Sequence, residues 1–205
     1  MVSSLAAISA AILALAATAS VWAHSPGSPG AHVHGLAVLE IAIDSETVQV
    51  NLITPLHNLV GFEHAPGNEK QRQAVKSMAS KLHQAGNLFI LAPAAQCRST
   101  AVQLESSVLS PAFLMAVPPV GKSADTNAGG PDNASRTERN GAHGELEAVW
   151  QFQCSNPQAL QGMDVKLFEA FPGLQRLDVR IASPKGQASA RLSPLSTRIS
   201  IQARQ

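Results

Sequence analysis

One ten-residue stretch restricts the possible folds of this chain more than any other. From residue 145 to 154, Leu146, Ala148, Trp150, Phe152 and Cys154 fall on one side. Glu145, Glu147, Val149, Gln151 and Gln153 fall on the other. A period of two is the period of a β-strand, and a strand with one apolar and one mainly polar face belongs to an antiparallel sheet with one wet side. The pattern recurs. In residues 36–43, Leu39, Ile41 and Ile43 share a face, and after the turn Asp44-Ser45-Glu46 the residues Val48, Val50 and Leu52 alternate with Gln49 and Asn51. These two runs predict a hairpin that Pro55 ends.

Helical spacing dominates only at residues 68–84, where Val75, Met78 and Leu82 recur and Gly86 stands where a C-terminal cap belongs. Residues 58–66 read as a loop. Shorter strands are expected at 88–91 and 102–105. A turn, a strand and a short helical piece are expected within 160–171, and a second hairpin within 177–192 around Pro184-Lys185-Gly186. The fold class that follows is α+β, mainly antiparallel strands with one principal helix. Residues 121–142 contain no Val, Ile, Leu, Met, Phe or Trp, and a segment so poor in apolar surface predicts a disordered central loop. His34-Gly35 and His143-Gly144 each open an alternating run, an echo that hints at two similar β units.

Residues 1–23 read as a secretory signal peptide. Residues 5–17 are Leu, Ala and Ile with one Ser, too short for the ~20 residues of a membrane span, and Val21-Trp22-Ala23 offers small residues to a signal peptidase. The expectation is one exported, periplasmic domain over residues 24–205, with no membrane span after processing. Net charge is +1 with Lys and Arg scattered, and Tyr is absent, which argues against nucleic acid as a partner. Cys97 and Cys154 are the only cysteines. In an oxidising compartment an even count predicts a disulfide, and neither sits in the C-x-x-C spacing of a thiolate metal site.

The chemistry of the chain rests on its histidines. In His32-Val33-His34 an extended backbone sends both imidazoles to one side, ~7 Å apart, so that two ligands can converge on one ion. Zinc takes imidazole nitrogen at about 2.0–2.1 Å and usually wants four ligands, so the pair supplies half a site. His143, Glu63 and His64 are the candidates for the remainder; two solvated surface histidines are the alternative. Imidazole ligates only when neutral, and ordinary histidine titrates near ~6.5, so a site of this kind weakens in acid. His57, in a turn after Pro55, and His83, near a helix end, have no partnered spacing. No G-x-S-x-G, H-E-x-x-H or glycine-rich phosphate loop is present, and no catalytic arrangement assembles.

The ordered set His32-Val33-His34-Gly35, Asn58-Leu59-Val60-Gly61-Phe62-Glu63-His64-Ala65-Pro66, Cys97, His143-Gly144-Glu145, Cys154, Leu167-Phe168 and Phe171-Pro172 resembles zinc-regulated protein A, the ZrgA-type family of periplasmic proteins associated with zinc uptake. The resemblance spans essentially all of residues 24–205, and the nine-residue stretch from Asn58 is its most specific part. It implies a zinc-binding accessory to an importer or to that importer's periplasmic binding protein, without catalytic activity. On it, the H-x-H-G start falls on His32, His34 and Gly35, and the later histidine on His143. One departure is plain: such proteins often carry a His/Asp/Glu-rich central tract, whereas residues 121–142 hold no histidine. Copper or nickel is the rival metal, because imidazole sites discriminate weakly and His24 at a processed terminus chelates copper well. A structural or interaction module with incidental histidines is the rival from another class.

Overall fold

The computed structural model describes residues 33–115 and 144–201, all within one compact unit, Ala31–Gln205. The expected signal peptide, His24, His32, His143 and the loop at 121–142 lie outside the described residues.

The first hairpin is β1, Leu36–Asp44, and β2, Thr47–Pro55, joined through Ser45 in a left-handed conformation. Their register pairs Asp44 with Thr47, Leu39 with Leu52 and Val38 with Ile53. A one-turn helix follows, α1, His57–Val60, and then the principal helix α2, Glu69–His83. Asn68 caps α2 by accepting from the Gln71 backbone N–H at 3.0 Å, which satisfies an end donor the helix cannot use internally. Two of the expectations change here. Residues 57–60 are helical rather than loop, closed by Gly61 in the left-handed conformation. The α2 cap falls on Gln84, because Gly86 is taken up in another single turn, α3, Ala85–Leu88.

The chain continues through β3, Phe89–Leu91, β4, Cys97–Ser106, and α4, Pro111–Leu114. Beyond the undescribed stretch come β5, Glu145–Cys154, β6, Gly162–Val165, α5, Leu167–Ala170, β7, Arg176–Ser183, β8, Gly186–Leu192, and β9, Arg198–Ser200. A six-stranded sheet has the order β4-β5-β2-β1-β7-β8, and a three-stranded sheet the order β3-β6-β9. All neighbours are antiparallel except β1 and β7. That parallel pair follows from a shared start: the Gly35 carbonyl accepts from both Gln175 and Arg176 N–H, at 2.8 and 2.9 Å.

The inward faces bear out the alternation. Leu146, Ala148, Trp150, Phe152 and Cys154 are buried from β5, as are Leu39 and Ile41 from β1 and Val48, Val50 and Leu52 from β2. Val75, Met78, Ala79 and Leu82 of α2 are buried as well. Trp150 ties helix to sheet: its Nε1 donates to the Leu82 carbonyl at 2.7 Å, a main-chain acceptor near the end of α2. Phe89 packs edge-on against Trp150 and Phe152, with ring centroids 4.8 and 6.2 Å away, which brings the small sheet into the same core.

Cys97 and Cys154 are bonded, directly opposite one another across β4 and β5. The 57-residue separation encloses a long loop in the unfolded chain, for which the chain-entropy account gives roughly 4 kcal/mol of stabilisation. The double variant Cys97→Ser/Cys154→Ser should therefore unfold in urea with a stability lower by about 2–4 kcal/mol. An unchanged midpoint would show that the unfolded chain gains nothing from losing the link.

Candidate metal centre

The topology brings His34 and His57 together at one end of the large sheet. Strands β1 and β5 flank β2 and both run antiparallel to it, so their starts lie where β2 ends. His34-Gly35 precedes β1, His57 follows β2, and Gly144 precedes β5. The ladder between β2 and β5 continues one step past the last paired residues, Pro55 and Glu145, because Leu56 N–H donates to the Gly144 carbonyl at 2.7 Å.

A buried asparagine holds this end together. Asn58 is 2% exposed. Its Oδ1 accepts from the Gly35 N–H at 2.7 Å, and its Nδ2 donates to the Leu36 carbonyl at 2.9 Å and to Thr54 Oγ1 at 3.1 Å. One side chain thus joins the start of β1, the end of β2 and α1. Gly35 has φ +84°, a conformation that a side chain would strain, and the turn it makes presents His34 to the outside. At Gly144 a Cβ would meet the Glu63 carbonyl oxygen at 2.4 Å, closer than a side chain can sit; instead Gly144 N–H donates to that oxygen at 3.1 Å. The segment after α1 is thereby pinned against the start of β5.

Two of the expected ligands meet. His34 Nε2 lies 3.2 Å from Glu63 Oε1; the imidazole side chain is 58% exposed and the carboxylate 18%. The two groups are at hydrogen-bonding distance, a spacing also close to the roughly 3.3 Å between two ligand atoms each ~2.0 Å from a tetrahedral ion. His64 is directed elsewhere. Its Nδ1 donates to the Ala65 carbonyl at 2.8 Å and its ring stacks on Phe62, centroids 5.1 Å apart. Among the described residues, no three His, Cys, Asp or Glu side chains converge as a metal site. His83 donates through Nε2 to the Leu114 carbonyl at 2.8 Å, tying α2 to α4.

His57 is the residue that spacing along the chain misses. Its ring stacks on His34 with centroids 3.9 Å apart and planes 6° from parallel. Register could have found it. Each β1–β2 pair has residue numbers that add to 91, and 34 with 57 continues that series. A histidine four residues beyond Ile53, the last β2 residue paired with β1, looks isolated in sequence, yet lies across from another at the mouth of the hairpin.

What the fold and this site define is an α+β domain that presents an imidazole–carboxylate pair at the open end of a sheet. A family model described as "ZrgA family zinc uptake protein" matches residues 31–201, a span that includes every described residue, and the chain belongs to that family. No curated protein matches the chain.

Because Asn58 answers two main-chain groups of the Gly35–Leu36 turn, its removal strands both. The variant Asn58→Ala should lose about 3 kcal/mol of stability, since each unsatisfied buried group costs roughly 1–3 kcal/mol. Urea denaturation measures it; a loss under about 0.5 kcal/mol would mean that water replaces the side chain without cost.

Proposed function

We propose that this protein binds zinc in the periplasm and supports its uptake as an accessory to an importer or to the importer's periplasmic binding protein, without catalytic activity. The observation that carries the reading is the His34–Glu63 pair at 3.2 Å, on a chain that belongs to a zinc uptake family. His34 and Glu63 supply two ligands. His32 and His143 supply the others, which completes four without His64. His32 is bonded to Val33, at the start of the His34 turn, and His143 to Gly144, which is held on the Glu63 carbonyl.

The zinc here is cargo. A half-exposed imidazole at the rim of a sheet leaves the ion open to solvent and to a partner's ligands, which suits collection and transfer better than permanent storage. No helix among the described residues is long and apolar enough to cross a membrane.

Calorimetric titration of residues 24–205 with zinc tests the reading. One ion per chain is expected. The variants His34→Ala and Glu63→Ala should each weaken binding, and His32→Ala/His34→Ala should abolish stoichiometric binding with an unchanged circular dichroism spectrum. Removing an outer partner of a ligand costs 10–100-fold in typical metal sites, so losing the ligands themselves should cost more than about 100-fold. Wild-type affinity in the folded double variant would contradict the proposal.

A further inference from the structure

We infer that His57 is a positioning residue for the metal-binding imidazole of His34, acting through its ring face and not as a ligand; this rests on the zinc-site reading above. Two facts about His34 make a positioning residue necessary. Its side chain is 58% exposed, and it stands on a turn outside the regular strand, where an imidazole would otherwise sample several rotamers. A ligand that must be immobilised when the ion arrives binds it more weakly than one already held in place.

The structure supplies the restraint from two directions. The contact with Glu63 Oε1 holds one corner of the His34 ring, and the His57 face, 3.9 Å away and 6° from parallel, sets its plane. His57 is itself well anchored. It opens α1, its carbonyl accepts from Gly61 N–H at 2.8 Å, and its neighbours on either side are Leu56, fully buried, and Asn58. Asn58 also holds Gly35, the residue after His34, so both rings of the stack stand on one clamp.

The same stack excludes shared ligation. An imidazole lone pair lies in the plane of its ring. An ion in the plane of His34 is displaced by the full width of the stack from the plane of His57, so the two nitrogens cannot both point at it in this arrangement. What His57 contributes is a flat aromatic surface, and a residue without ring nitrogens can provide that.

The experiment compares His57→Ala and His57→Phe with the wild type and with His34→Ala in the chain of residues 24–205. Zinc affinity is measured by competition with a chromophoric chelator. The visible spectrum of the cobalt(II)-loaded protein is the second readout, and thermal melts followed by circular dichroism report folding. His57→Ala should bind zinc about three- to tenfold more weakly, the effect expected for freeing one side chain that binding must then immobilise. His57→Phe should return the affinity to within about twofold of wild type and keep the wild-type cobalt bands, because the stacking face is restored and the ligand set is unchanged. Two results overturn the inference: wild-type affinity in His57→Ala, or equal damage in His57→Phe and His57→Ala together with shifted cobalt bands, which would make His57 a ligand. His34→Ala separates this from the reading beneath it. If that variant binds zinc like the wild type, the site itself is misplaced and the positioning role falls with it. If it loses zinc while both His57 variants stay normal, only the positioning role fails.

Discussion

Asn58 is the residue on which the end of the sheet that carries His34 and His57 depends. Its amide has one acceptor and two donor hydrogens, and the structure gives partners to both kinds: a main-chain N–H, a main-chain carbonyl and a hydroxyl. Buried at the meeting point of β1, β2 and α1, it closes the hydrogen-bond account of a turn that sheet pairing leaves open. Only a side chain that donates and accepts at once fits there. Aspartate would lose the donors, and an apolar residue would lose both. Much of the strongest motif in the sequence thus serves architecture. Asn58 clamps, Gly61 closes α1 in the left-handed conformation, and the Glu63 carbonyl receives Gly144. The Glu63 carboxylate is the part of the motif that faces His34.

The sheet is a scaffold that carries His34, His57 and Glu63 at one end. The core of Trp150, Phe89, Leu39, Leu52 and the α2 residues is apolar and fully enclosed. It fixes the relative heights of the strands, and the Cys97–Cys154 link fastens the opposite end of β5 to β4. The strand starts at the other end then bring together residues far apart in the chain. His34, His57 and Glu63 are adjacent because β1, β2 and the segment after α1 are adjacent. A site built on strand ends inherits the precision of the register, while its side chains stay open to solvent and to exchange.

The legible parts of the fold were those with a period. Alternation located β1, β2, β5 and β7, and helical spacing located α2 to within a residue at each end. The even cysteine count in an exported-looking chain led to the disulfide. Features without a period were not legible. The helix α1 is a single turn, held by Asn58 and Gly61 rather than by any amphipathic stripe. The short β9 is a strand only because β6 pairs with it, and the parallel contact of β1 with β7 depends on the carbonyl of Gly35, whose donors Gln175 and Arg176 lie at the far end of the sequence. At the site, His34 and Glu63 came from motif and resemblance, and the structure brings them together. His57 was missed because its partner lies across a hairpin, where only the register sum reveals it.

We propose that a zinc ion sits between His34 and Glu63, beside the end of β2. Diffraction data collected on either side of the zinc absorption edge, from crystals of residues 24–205 grown with one equivalent of zinc, test it most directly. An anomalous peak is expected within about 2.2 Å of both His34 Nε2 and Glu63 Oε1. A peak bound elsewhere, with that pair left at hydrogen-bonding distance and no ion between them, would contradict it.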